Sequence, residues 1–148
     1  MSLPPTQLPT PEEFAELLHS RGQRATPQRY AILRELCERP RHATADDIGR
    51  AVQAQLPGTS TPTVYATLDL LVELGLARRI DTGLGAALYD GGTEPHQHMV
   101  CRGCGDVADL DGSLDNDRLL SAAGATGFSP EGAELVISGL CSRCASSN

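Results

Sequence analysis

The sequence predicts an α+β protein with a helical N-terminal half and a smaller mixed C-terminal half. Three observations in its 148 residues point there. Apolar residues recur at helical spacing up to about residue 75, short alternating runs follow, and two C-x-x-C pairs lie beyond residue 100. At 40% hydrophobic and 21% charged, the chain fits one ordinary domain or two small ones and is not a disordered polymer. Aromatic residues make up only 3%, so any core must be built from Leu, Val, Ile and Ala. Two cores that lean need a metal or a partner subunit.

The elements follow in order. Thr10-Pro11-Glu12-Glu13 combines an N-cap, a Pro at the first helical position and a capping-box Glu, predicting a helix from Pro11 to about His19 with Phe14, Leu17 and Leu18 inward. Thr26-Pro27 repeats the signal. A second helix carries Tyr30, Leu33, Leu36 and Cys37 on one side and stops at Arg39-Pro40. Thr44 with Asp47 opens a third, with Ile48 and Val52 inward, ending before Leu56-Pro57-Gly58. Ser60-Thr61-Pro62 opens a fourth, with Val64, Leu68 and Leu71 inward and Gly75 as its stop. Leu76 to Asp81 and Ala86 to Asp90 then read as a hairpin around Thr82-Gly83-Leu84-Gly85. Four helices followed by a small β-wing is the winged-helix pattern, in which one helix enters the DNA major groove. Residues 1–90 are thus expected to form a DNA-binding domain with a flexible arm over 1–10, residues 91–95 a hinge, and 96–148 a second domain. In that second part His98 to Arg102, Val107 to Leu110 and Glu134 to Gly139 read as strands, and Asp115 to Ala123 as a helix.

Charge is divided unevenly. Residues 1–80 carry nine Arg and nine acids, whereas 81–148 carry three Arg and ten acids, so the net charge of −7 belongs to the C-terminal half. Arg21 to Arg41 holds six Arg and two Glu, a basic patch adequate to face phosphate within an acidic protein. No run of 18 apolar residues exists, and Met1 to Thr10 has neither the charged nor the apolar region of a signal peptide. A cytoplasmic location with no membrane partner is expected. In that reducing compartment the cysteine pairs suggest metal ligation rather than disulfides.

Cys101-Arg102-Gly103-Cys104 and Cys141-Ser142-Arg143-Cys144 have the spacing at which two thiolates per knuckle reach one tetrahedral zinc. Four thiolates close the site to substrate, so this zinc is expected to be structural. Cys37, on the apolar side of its helix, is expected to be a small buried hydrophobe. The chain has four His, two of them in His96-Gln97-His98 just before the first knuckle, where i and i+2 on a strand face one way. Asp90 lies upstream across a Gly-rich turn, and Asp109 lies on the strand expected to pair with the His strand. Two imidazoles and two carboxylates make a site suited to Fe(II) or Mn(II) with room for an exogenous ligand. His42 is the remaining candidate ligand; its participation would clamp one domain on the other.

Taken together, Arg24-Ala25-Thr26-Pro27-Gln28-Arg29, His42-Ala43-Thr44-Ala45-Asp46-Asp47, Thr63-Val64-Tyr65-Ala66-Thr67-Leu68, His96-Gln97-His98-Met99-Val100-Cys101 and the paired C-x-x-C motifs resemble the Fur family of bacterial metal-dependent repressors. The likeness runs from about Pro11 to Cys144. It implies a winged helix followed by an α/β dimerisation domain, acting as a homodimer on palindromic, AT-rich double-stranded operators. It also implies a structural zinc on Cys101, Cys104, Cys141 and Cys144 and a regulatory Fe(II) or Mn(II) on His42, Asp90, His96, His98 and Asp109. Within the family the sequence is most similar to the peroxide sensors, because both carboxylate ligands are Asp. That branch implies oxidation of His42 and His96 by peroxide meeting Fe(II), and control of catalase or other oxidative-stress genes. The alternative is a regulator of iron, manganese or zinc availability without peroxide chemistry.

One departure concerns DNA readout. The residue after the recognition-helix Tyr is Arg in many members and Ala66 here. Tyr65 remains available for a thymine methyl, Thr63 or Thr67 for phosphate, and Arg24 for a narrow minor groove. Two further alternatives are a metallohydrolase on the His and Asp cluster, which lacks any accompanying acid/base or nucleophile motif, and a purely structural zinc adaptor. No enzymatic activity is expected.

Overall fold

In the computed structural model, residues 7–38, 42–91, 97–110 and 116–147 are described. The chain divides into two compact units, Leu3–Thr93 and Glu94–Asn148 with Met1–Ser2. Residues 92–95 of the expected hinge, His96 and Asp115 lie outside the described residues.

The first unit begins with α1 (Pro11–Ser20), where the Thr10 side chain accepts from the Glu13 backbone and the Glu13 carboxylate returns the bond to Thr10. This reciprocal cap satisfies two of the N–H groups a helix start leaves open. α2 (Pro27–Glu38) and α3 (Ala45–Gln55) follow, α3 opened by the same box between Thr44 and Asp47. α4 (Thr61–Glu73) is capped by Ser60, whose Oγ accepts from the Thr63 backbone. Phe14, Leu18, Ile32, Leu33, Ile48, Val52, Val64, Leu68 and Leu71 from these four helices form one buried core. Leu17, expected inward with its neighbours, is only half-buried.

The sheet of this unit departs from expectation in two ways. The chain just before α3 is itself a strand, β1 (Ala43–Thr44), pairing antiparallel with β3 (Leu88–Asp90), and β3 pairs in turn with β2 (Arg78–Ile80). Thr44 is extended at φ −75, ψ 161. That geometry serves a strand end and an N-cap at once, which is why a capping motif concealed a strand. The wing strands are also shorter than expected. Leu76 and Ala77 donate to the Leu71 carbonyl after Gly75 turns left-handed at φ 73, so they close α4 before they can join β2.

The second unit is a three-stranded sheet in the order β5 (Val107–Leu110), β4 (Gln97–Cys101), β6 (Val136–Gly139). β4 and β5 are antiparallel, while β6 returns parallel to β4 after α5 (Asp117–Gly124), and a short α6 (Ser142–Ser146) ends the chain. Helix α6 was not expected; it is the second C-x-x-C turn continued by one further turn of helix. Packing here is thin. Among its described residues only Gln97, His98, Val100 and Cys101 are buried, and α5 buries none. Met99, Leu119, Phe128, Val136, Ile137 and Leu140 are exposed.

Candidate metal centres and nucleic-acid interface

The parallel register Cys101↔Gly139 sets the end of β4 beside the end of β6, two residues short of Cys141. The left-handed Gly105, φ 75, closes the first knuckle with its N–H on the Cys101 carbonyl. One sulfur each from Cys101, Cys104, Cys141 and Cys144 lies within 4.8 Å of the others, and the Cys104 and Cys141 Sγ atoms are 3.9 Å apart. A tetrahedron with zinc–sulfur bonds of about 2.3 Å has edges of about 3.8 Å. The four sulfurs are therefore spaced for an ion at their centre and far beyond disulfide length. The Cys141 N–H donates to Cys101 Sγ at 3.2 Å, and this bond, with others from Cys104 and Gly103, draws the Cys101 thiol down to about 6. Bonding among the sulfurs raises Cys144 instead. A divalent cation relieves that mutual opposition by replacing protons on all four.

The His and Asp residues fall into two pairs. In the second unit, β4 and β5 set His98 directly opposite Asp109, with His98 Nε2 3.4 Å from Asp109 Oδ1. The imidazole is buried while the carboxylate is half exposed. In the first unit, the pairing of Ala43 with Tyr89 carries the preceding residue, His42, to the level of Asp90, and His42 Nε2 lies 3.6 Å from Asp90 Oδ2. A buried imidazole nitrogen facing a carboxylate oxygen at this separation is a nitrogen–oxygen donor pair for a borderline or hard divalent cation. His96, the fifth expected ligand, lies outside the described residues. Cys37 is half-buried, and burial together with Asp90 and Glu38 pushes its thiol up to about 11, which agrees with an inert side chain.

On the nucleic-acid side, Tyr65 stands on α4 with 46% of its surface exposed, while its neighbours Val64 and Leu68 are buried. Arg24 is exposed and Thr63 half-buried, its hydroxyl 2.8 Å from Ser60 Oγ. The expectation for Thr67 is corrected: it is 2% exposed, packed on the Val64 and Leu71 side of α4, and its hydroxyl cannot reach phosphate. Sequence reasoning also passed over Arg29. Its Nη1 donates to the Arg24 backbone carbonyl at 2.6 Å, and both residues line one cleft. The signal was present in its position three residues beyond Thr26, in the first turn of α2.

Residues 20–138 match the model of the ferric uptake regulator family. The chain is 38% identical to the peroxide operon regulator of Bacillus subtilis (strain 168), across 90% of this chain and 92% of that protein. It is 40% identical to ferric uptake regulation protein 1 of Mycolicibacterium fortuitum, across 84% and 77%. Among solved structures, the Helicobacter pylori ferric uptake regulator, described as having three functional metal binding sites, superposes with a TM-score of 0.82 over 97% of each chain at 17% identity.

Proposed function

The chain belongs to the ferric uptake regulator family, and from that premise we propose that it is a homodimeric, metal-dependent transcriptional repressor that releases DNA on exposure to peroxide. The family consists of regulators rather than enzymes. The observation that carries the reading is that each compact unit supplies its own imidazole–carboxylate pair, His42 with Asp90 and His98 with Asp109. Each pair is incomplete as a site for one ion, and an ion satisfied by both, with His96, ties the DNA-reading unit to the other. Fe(II) or Mn(II) suits that donor set; zinc suits the four thiolates. The exposed apolar side chains of the second unit, Ile137 and Phe128 among them, are the surface we assign to the second subunit. Two recognition helices then present Tyr65 to successive major-groove faces of an AT-rich palindrome. No described helix is long and apolar enough to cross a membrane.

The identity with the Bacillus subtilis peroxide operon regulator and the choice of Asp at both carboxylate positions favour peroxide over metal supply as the signal. The identity with the Mycolicibacterium fortuitum protein supports the second reading, a repressor answering to iron availability alone. Selection of duplexes from a random library by the Mn(II)-loaded protein, followed by titration with and without metal, tests what the two readings share. Expected is binding that strengthens 5- to 150-fold with metal, about 1–3 kcal/mol of coupling. Affinity indifferent to metal rejects both.

The zinc assignment has its own test in Gly103. A Cβ there falls 2.9 Å from Cys144 Sγ and 3.0 Å from its Cβ, closer than real contacts allow. A sulfur held by an ion cannot swing aside. Gly103→Ala is expected to speed zinc loss to a competing chelator about tenfold or more, in the range seen when outer-shell partners of a metal site are changed. Unchanged retention would place Cys144 outside the ligand set.

A further inference from the structure

The N-termini of α2 and α4 open onto one cleft of about 430 Å³, lined in part by Arg24, Thr26, Arg29, Thr59 and Thr63. We propose that this cleft is an oxyanion pocket that seats one backbone phosphate of duplex DNA in each subunit, with Arg24 and Arg29 as its clamp. The inference rests on the DNA-binding reading above and adds to it a site that fixes the register of the protein on the duplex.

Four features converge. Arg24 and Arg29 both line the cleft, and Arg29 Nη1 donates to the Arg24 backbone carbonyl, which fixes the Arg29 guanidinium beside that stretch of chain. Two helix starts face it, capped by Thr26 and Ser60, each adding a partial positive charge of about one half. Thr59 is 4% exposed and lines the same cleft, and its Oγ1 has no hydrogen-bond partner. Among the described residues no carboxylate lines it, in contrast to the cleft of about 210 Å³ beside Tyr65, which Asp46 and Asp69 border. In a chain of net charge −7, an acid-free concavity with two Arg is a place for an anion. Its position beside the start of α4, four or five residues before Tyr65, suits a phosphate flanking the groove that Tyr65 enters. Arg24 is thereby assigned to phosphate rather than to the minor groove.

Phosphate contacts act alike on every sequence and release counterions. Losing one in each of two subunits lowers the slope of log affinity against log salt by about 1.8, and at 0.15 M salt weakens binding about thirtyfold. The experiment measures the full-length Mn(II)-loaded dimer on its selected duplex and on a scrambled one across a salt series. Arg24→Gln and Arg29→Gln are expected to lose affinity equally on both duplexes with the smaller slope, and Arg29→Lys to keep the slope. Arg24 is exposed, so its variant tests the pocket even where Arg29→Gln loosens α2. Slopes unchanged in both Gln variants overturn the pocket, as does a loss confined to the selected duplex, which makes the residues readers of sequence. Wild-type protein that binds no duplex defeats the DNA-binding reading itself. In a parallel arm, inorganic phosphate is titrated against chloride at equal ionic strength while the Arg29 and Thr63 amide resonances are followed. Tight saturation there with unchanged DNA slopes would assign the cleft to free phosphate and overturn the proposal.

Discussion

Removing zinc with a strong chelator, or changing Cys101 to Ser, is expected to unfold the second unit while the four helices of the first survive. The imbalance lies in the cores. The first unit buries Phe14, Leu18, Ile32, Leu33, Ile48, Leu68 and Leu71 almost completely, the ordinary means by which a small domain offsets chain entropy. The second buries Val100 and Cys101 as its only apolar side chains among the described residues, and its helix α5 buries none. Such a unit does not close on hydrophobic burial, and its sheet is held at one end by sulfur. Cys101 closes β4, Cys141 follows β6, and an ion shared by their knuckles fastens the two strands where their pairing ends. Structural zinc contributes about 10–16 kcal/mol of apparent binding free energy in small metal-dependent folds, more than the whole stability of most domains this size. Amide hydrogen exchange is the decisive measurement, since it reads each unit separately. On chelation the β4, β5 and β6 amides are expected to lose protection, whereas those of α2 and α4 keep it. Subunit dissociation should accompany the loss, because the exposed apolar surface belongs to the same unit. Full protection of β4 in metal-free protein would mean that the four cysteines contribute nothing to the fold.

How far the sequence discloses this design depends on whether a feature is local. Caps are local, so Thr10 with Glu13 and Thr44 with Asp47 are legible in the sequence and the helices follow from them. The opposition of His98 and Asp109 was also legible, because the two-residue period of strands and a short turn leave little choice of register. The opposition of His42 and Asp90 was not. It depends on a two-residue strand that shares Thr44 with a helix cap, and no periodicity can declare itself over two residues. Thr67 shows the opposite error. Its position three residues after Val64 and four before Leu71 places it on the inward face, so the helical period itself turns its hydroxyl away from the exposed side that Tyr65 occupies. Arg29 was legible only in part: its place in the first turn of α2 is local, but the cleft it lines is closed by the start of a helix some thirty residues away in sequence.

The second large effect is expected at His42. In the mechanism proposed, each subunit reads metal only insofar as one ion engages both imidazole–carboxylate pairs, and His42 is the imidazole that, among the described residues of the first unit, stands beside Asp90. Replacing it with Ala should leave zinc, dimerisation and the weak affinity for any duplex intact, because Arg24, Arg29 and Tyr65 are untouched. What should vanish is the strengthening by Mn(II), a loss of 5- to 150-fold on the selected duplex if the coupling has its usual size. Linkage supplies an independent check: DNA must tighten Mn(II) binding in wild type by the same factor and must fail to do so in the variant. Peroxide is expected to reproduce the mutation chemically. Fe(II) held by these ligands would supply redox chemistry with peroxide, by which an imidazole would take one peroxide oxygen while the other leaves as water; Mn(II) is expected to leave the imidazoles intact. Treated with peroxide, the iron-loaded protein should lose its preference for the selected duplex and gain one oxygen atom on the peptide carrying His42 or His96; the manganese-loaded protein should do neither. If His42→Ala keeps its response to metal, the two units do not share an ion. If metal controls binding while peroxide changes neither mass nor affinity, the molecule answers to metal supply and not to peroxide.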